Sequence, residues 1–407
     1  MRHVTPDLQR DLAPPRRPTI LQIIPRLDTG GAELATIEIT QAVIAAGGRA
    51  IVATEGGRMA RRITDAGGEI VEMAAATKSP WQMWRNAARL ARLIEREGVA
   101  LVHARSRAPA WSALAAARRT RRPFVTTYHG AYNENGPAKR FYNGVMARGD
   151  VVIANSRWTA ELIASRYGTP VERIAVIPRG VDLARFSAHA IGPERMAELR
   201  ARWKVAPTSR VILHAARLTA WKGQSLLIEA FGQLAADNAV GDAILVLAGD
   251  AQGRDGYARS LLALAERLGV ADRVRMAGHV EDIAAAYATA WVTVVASVEP
   301  EAFGRAAAEA LAVGCPVITT NLGAPPETVL AVPAVAADRS TGWVTEPTAA
   351  SLSQALRVAL ALQPDARAAM SERAAADMRA RFSLATMQQQ TLAVYDRLLA
   401  TKLSRRV

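Results

Sequence analysis

The chain has 407 residues, 50% of them hydrophobic, which is enough for two ordinary domains, each with its own core. Its single cysteine, Cys315, excludes an intramolecular disulfide, and no Cys/His cluster has zinc-site spacing, so a reducing compartment is expected. The formal net charge of +14 is lopsided: residues 1–185 hold 28 Lys+Arg against 16 Asp+Glu, and the remainder holds 23 against 21, which points to a polyanionic partner for the first half or to Arg-rich solvated helix faces.

The opening segment 1–18, "MRHVTPDLQRDLAPPRRP", is polar and Pro-rich; it reads as flexible and lacks the apolar stretch of a signal peptide. No uncharged apolar run approaches the ~18–20 residues of a membrane span. The expectation is a cytoplasmic protein, with peripheral contact at the cytoplasmic face of an inner membrane left open. From residue 19, short β-branched runs alternate with amphipathic stretches. "TILQIIP" (19–25), "RAIVAT" (49–54), "VALVHA" (99–104), "PFVTTY" (123–128), "DVVIANS" (150–156) and "IAVIP" (174–178) read as buried strands. Helices are predicted over 32–46, 82–97 and 157–167, the first stopped by Gly47-Gly48. After "IPRGVDLARFS" (177–187) the pattern restarts. Strands are predicted at "RVILHAA" (210–216), "AILVLAG" (243–249), "RVRMAG" (273–278), "WVTVVAS" (291–297) and "PVITT" (316–320), and helices over 224–236, 256–268 and 305–313. Such alternation implies an α/β fold of two doubly wound, Rossmann-like domains facing a cleft, spanning 19–183 and 184–382, with a last helix in 383–407 expected to pack back on the N-terminal domain.

Several motifs fall at predicted strand ends. "RLDTGGAE" (26–33) places Gly30 and Gly31 where a helix N-terminus offers free N–H groups to an anion; it is not the GxGxxG fingerprint, so a nicotinamide cofactor is unsupported. "TTYHG" (126–130) puts His129 just past a strand, suited to a sugar hydroxyl or to an ordinary loop contact. "AARLTAWKGQ" (215–224) carries Arg217 and Lys222 in a loop entering a helix, an arrangement suited to a diphosphate. In "MAGHVEDI" (276–283), His279 and Val280 present main-chain groups to a base edge, or the stretch is a plain turn in which Glu281 and Asp282 start a helix. "VVASVEPEAFGRAAAEALAVG" sets Glu301 in a loop and Glu309 a little over one turn inside an Ala-rich helix, where a buried, paired carboxylate is expected. The N–H groups of Phe303, Gly304 and Arg305 open that helix toward an anion or a sugar oxygen.

Taken together, the E-x7-E pair Glu301 and Glu309, "GAPPETV" (323–329), Arg217 with Lys222, "AGHVEDI", "GGAE" and "IPRGVD" resemble the retaining glycosyltransferases of family 4, which share the GT-B fold. The resemblance spans residues 19–345. It implies that Arg217 and Lys222 hold the diphosphate of a nucleotide-sugar donor, that Glu309 binds the ribose and Glu301 the sugar hydroxyls, and that Phe303 and Gly304 meet sugar or phosphate through their N–H groups. It further implies that His279 and Val280 border the base, that His129 contacts the sugar, and that Gly30 and Gly31 approach the phosphates. The roles nearest the chemistry fall to Glu301, His129, Arg217 and Lys222. No metal and no cofactor are implied. The family commonly has Asn where Arg179 stands before Gly180, so contacts assigned to that Asn do not carry over. "YHGAYNENGPAKRFYN" (128–143) and "HARSRAPAWSA" (103–113) are similar to lipopolysaccharide-core mannosyltransferases of α-proteobacteria, which favours mannose from GDP-mannose.

The resemblance assigns the acceptor to domain 19–183 and the nucleotide sugar to domain 184–382, so the basic first half suits an anionic glycolipid or glycan acceptor. In "KSPWQMWRNAARLARL" (78–93), Trp81, Trp84 and Leu90 are expected on the core side, with a lipid interface beside Arg85, Arg89 and Arg92 as the alternative. A UDP-sugar donor or a sugar-nucleotide epimerase on the same fold are the competing enzymatic readings. A nucleic-acid partner is not expected, because aromatic residues are only 5% and no recognition motif is present.

Overall fold

A computed structural model of the chain describes residues 17–28, 30–132 and 134–407; all but the last two residues of the flexible segment expected over 1–18 lie outside them. Among the described residues, thirteen strands form two parallel sheets. The first contains β1 (Thr19–Ile23), β2 (Arg49–Thr54), β3 (Glu69–Glu72), β4 (Val99–Ala104), β5 (Phe124–Tyr128), β6 (Val151–Ala154) and β7 (Ile174–Val176), in the order β3-β2-β1-β4-β5-β6-β7. The second contains β8 (Val211–Ala215), β9 (Ile244–Ala248), β10 (Val274–Gly278), β11 (Val292–Val295), β12 (Val317–Thr320) and β13 (Gly342–Thr345), in the order β10-β9-β8-β11-β12-β13. β1 pairs in parallel with both β2 and β4, and β8 with both β9 and β11.

The central strands are apolar on both faces, as parallel strands covered by helices on each side must be. Along β8, Val211 and Leu213 enter one apolar cluster while Ile212 enters the other, the period of two expected of a strand. β11 behaves likewise, with Val292 and Val294 on one face and Val295 on the opposite one. The two strands not anticipated, β3 and β13, lie at sheet edges. β3 reads "EIVE" and is buried at none of its four positions, so it carries no apolar run. The helix Gly31–Ala45 ends as expected: Gly47 is left-handed and Gly48 N–H returns to the Val43 carbonyl.

Packing divides the chain into two compact units. The first runs to Val125 and includes Leu392–Val407; the second is Thr126–Thr391. The division falls inside β5, so the second unit holds β6 and β7 along with the whole second sheet. Within the first unit, Tyr395 of the helix Leu384–Leu399 places its hydroxyl 2.6 Å from His103 Nδ1 on β4. Both side chains are fully buried there. Burial pushes the His103 imidazole well below its ordinary range and the Tyr395 phenol up to about 12, so the pair is neutral.

Candidate active site

In an open parallel sheet, the loops leaving two adjacent strands diverge where the strand order reverses, and the crevice at their carboxyl ends takes ligands. In the second sheet this point lies between β8 and β11. The loop after β8 carries Arg217 and Lys222, and the loop after β11 carries Ser297 and Glu301. Gly223 brings the two loops together. Its backbone is left-handed (φ +75°), and a Cβ there would overlap the Ala296 carbonyl at the end of β11.

Lys222 Nζ lies 2.7 Å from Glu301 Oε1, and the Ser297 hydroxyl donates to the same oxygen. The two charged side chains are 17% and 11% exposed. Lys222 also sits 4.2 Å above the Trp221 ring, a cation–π contact that helps hold the ammonium in place. Arg217 is exposed in the same loop, with its carbonyl accepting from Gln224 Nε2 at 2.9 Å. The Glu301 loop is pinned by the "GAPPETV" segment. Glu301 forms a bridge with Gly323, and Ala324 N–H donates to the Glu301 carbonyl at 2.8 Å.

Glu309 stands in the helix Arg305–Ala312, whose N-cap is Gly304. Arg305, one turn earlier, donates to Glu309 Oε1 at 2.7 Å, and the Tyr287 hydroxyl donates to Oε2 at 3.4 Å. Burial first, and then the Glu309 charge, push the Tyr287 phenol well above its ordinary range, so it remains a donor. Phe303 turns its ring into the core against Phe382, leaving its main chain at the helix start.

Beneath the Lys222–Glu301 pair, His214 on β8 holds Nδ1 2.8 Å from the Val294 carbonyl on β11. The carbonyl can only accept, so the ring proton is on Nδ1. Desolvation lowers this imidazole to about 4, and it stays neutral under the two loops. Still within the second unit, His129 lies just after β5, and Arg179 Nη2 is 2.6 Å from its Nδ1. His279 is exposed and Val280 half-buried after β10, the edge strand beyond β9; next to them Asp282 caps the helix Ile283–Thr289 and pairs with Arg195 through two 2.7 Å bonds. In the first unit, Gly30 caps the helix Gly31–Ala45, and a Cβ on Gly30 would meet the Glu33 carboxylate.

The structure thus brings Lys222 and Glu301 into direct contact, with Phe303, Gly304 and Glu309 following along one chain segment. It leaves His279 and Val280 at another strand end. Ser297, Tyr287, His214 and the Arg305 side chain were not singled out as site residues. Arg305 had a readable signal in its i,i+4 spacing to Glu309; Ser297, Tyr287 and His214 had none, because their roles depend on strands and helices meeting in space. The core-side placement expected for Trp81 and Trp84 is overturned. Both are exposed, at 65% and 64%, and stacked 5.3 Å apart, while Leu90 is buried as expected.

The profile of Glycosyltransferase Family 4 matches residues 29–185, and that of Glycosyl transferases group 1 matches residues 196–377. Over 183 residues, 44% of the chain, it is 38% identical to a D-inositol 3-phosphate glycosyltransferase of Xylanimonas cellulosilytica. Over 188 residues, again 44%, it is 35% identical to a GDP-mannose-dependent alpha-(1-6)-phosphatidylinositol monomannoside mannosyltransferase of Mycobacterium tuberculosis. These matches span 42% and 46% of the two relatives' own length, less than half of either. The crystal structure of a glycosyltransferase from Rickettsia africae superposes with a TM-score of 0.86 at 30% identity, covering 95% of this chain and all of that one.

Proposed function

Because the chain belongs to the GT-B glycosyltransferases, with family 4 and group 1 halves, we propose that it transfers a hexosyl group from a nucleotide-diphosphate sugar to an anionic glycolipid or glycan acceptor, with retention of configuration. Mannose from GDP-mannose is the favoured donor, and lipopolysaccharide core or another cell-surface polysaccharide the favoured product. The observation that carries this reading is the Lys222–Glu301 pair at the switch point of β8 and β11. A donor offers a matching pair of groups: a phosphate for the ammonium and sugar hydroxyls for the carboxylate. Binding exchanges one internal ion pair for two charge-assisted contacts. As the bond from the anomeric carbon to the phosphate oxygen breaks, negative charge grows on the diphosphate, and in this reading Lys222 and Arg217 stabilise it. Glu309, held by Arg305 and Tyr287, takes the ribose diol in this reading. This reading gives no part to a divalent ion, so activity is expected to persist in excess EDTA.

The acceptor half of the reading rests on charge and on one surface. Residues 1–185 carry most of the net positive charge. On the helix Pro80–Arg96, the exposed stripe runs from Trp81 and Trp84 through Arg85, Arg89 and Arg92. Exposed tryptophan beside arginine suits the headgroup region of an anionic bilayer. Among the described residues no helix is long and apolar enough to cross a membrane, so the contact proposed is peripheral.

A thermal-shift panel with GDP, UDP, ADP and their sugar conjugates tests the donor. A ligand at a hundred times its Kd adds roughly 2.7 kcal/mol to the folded state. Preferential stabilisation by GDP and GDP-mannose supports the reading; preference for UDP compounds replaces mannose and leaves the transfer chemistry; no response to any nucleotide removes it.

A further inference from the structure

Arg179 occupies the place where the family commonly has Asn, and it is nine-tenths buried. The chain just after it is clamped through Val181. Val181 N–H donates to the Phe382 carbonyl at 2.8 Å, and Leu384 N–H returns to the Val181 carbonyl at 3.0 Å. Between Arg179 and Val181, Gly180 lies so close to Leu384 that a Cβ would stand 2.5 Å from its Cα. The guanidinium reaches His129 from this fixed base, with Nη2 2.6 Å from Nδ1.

An arginine has only donors. Nδ1 therefore accepts, and the ring proton is on Nε2. The usual partner of a working histidine is a carbonyl or carboxylate, which takes the proton at Nδ1 and leaves Nε2 as a base. Here the polarity is reversed. We infer that Arg179 is a positioning residue that sets His129 as a hydrogen-bond donor through Nε2–H, an atom shut from solvent in this structure, and denies it the role of general base; its acceptor in the reaction is a sugar hydroxyl or phosphate oxygen. The direction of donation rests on the proposed sugar transfer; the tautomer rests on the Arg179 contact alone.

The test uses the full chain with 15N-labelled histidine, six residues in all, with His129→Gln identifying the His129 ring signals. The Nε2–H form is expected in the native protein and in Arg179→Lys, which keeps a donor. Arg179→Glu, which accepts, should move the proton to Nδ1 and lower kcat by about tenfold, the scale of one misdirected hydrogen bond. Arg179→Lys should stay within about threefold of the native kcat on the same scale. A native His129 protonated on Nδ1 overturns the assignment, and so does native turnover by a folded Arg179→Glu variant whose tautomer has inverted. A native spectrum with the Nε2–H form and no turnover of any nucleotide sugar supports the tautomer assignment and overturns the transfer reading instead.

Discussion

Lys222 Nζ stands 2.7 Å from Glu301 Oε1, although the two residues are 79 apart in sequence and leave different strands. The proposed function gives the ammonium a diphosphate and the carboxylate a sugar; in this structure each is the other's partner. Lys222→Ala removes the cation and leaves Glu301, 11% exposed, with Ser297 as its remaining partner in the pair's pocket. The expected outcome is a fall in kcat/KM of about 10²-fold, as for loss of one electrostatic contact at the transition state. Folded stability should fall by about 1–3 kcal/mol, because a poorly exposed carboxylate loses its counter-ion. Steady-state kinetics beside a denaturant melt separates the two effects. Near-native kinetics in a folded variant would take Lys222 out of the chemistry.

Glu309 differs from Glu301 in what it should do to the kinetics. A ribose contact is made equally in the ground and transition states, so its loss raises the donor KM and spares kcat. Glu309→Ala should raise the donor KM by about 10²-fold and leave Arg305 and Tyr287 without their shared acceptor. Glu309→Gln keeps an amide oxygen for Tyr287 and for a ribose hydroxyl, and its KM should lie between those of the native protein and the alanine variant. A fall in kcat with unchanged KM would place Glu309 at the reacting centre and not at the ribose.

The second sheet was largely readable in the sequence, because β8, β9, β11 and β12 are buried runs flanked by turns, and their expected bounds differ from the observed ones by at most two residues. E-x7-E was readable for a similar reason. A loop glycine and an Ala-rich helix force Glu301 before the helix and Glu309 inside it. Contacts that depend on where distant segments meet were not readable. His103 on β4 meets Tyr395, 292 residues later, and nothing local marks either side chain. Trp81 and Trp84 misled because a large aromatic at helical spacing is most often core; here Leu90, Leu93 and Ile94 supply the buried face and leave the tryptophans outside.

His214 makes stability depend on pH in a defined direction. Its imidazole is lowered from 6.5 to about 4, chiefly by desolvation, with Lys222 adding to the fall and the Val294 carbonyl and Glu301 opposing it. The unfolded chain takes up this proton near 6.5, while the folded chain resists until about 4. The stabilising contribution is therefore fully present above 6.5 and is lost as pH falls from 6.5 toward 4. His103 is shifted the same way and adds to the slope. By pH 5 the native protein should have lost about 2 kcal/mol through His214 alone. His214→Gln keeps an N–H for the Val294 carbonyl and removes the titration. Urea melts at pH 7 and pH 5 should show a shallower loss in this variant, and equal losses would mean that His214 does not titrate across unfolding.

Trp81 and Trp84 expose about two-thirds of their surface, stack on each other, and head a stripe of exposed arginines. Side chains so exposed contribute little to folding, so Trp81→Ala/Trp84→Ala should change stability by no more than about 0.5 kcal/mol. Binding to a membrane surface is a different matter. Each well-placed arginine is worth about 1 kcal/mol against an anionic leaflet, and the indoles add apolar burial at the headgroup level. Cosedimentation with phosphatidylglycerol-containing vesicles should weaken about tenfold in the double tryptophan variant, the scale of about 1.4 kcal/mol. Raising the salt should weaken the native protein too, because the arginine share is screened while the tryptophan share is not. Vesicle binding equal in the native and variant chains at every salt concentration would detach this helix from the membrane reading and leave the acceptor to be met by other basic surfaces of the first 185 residues.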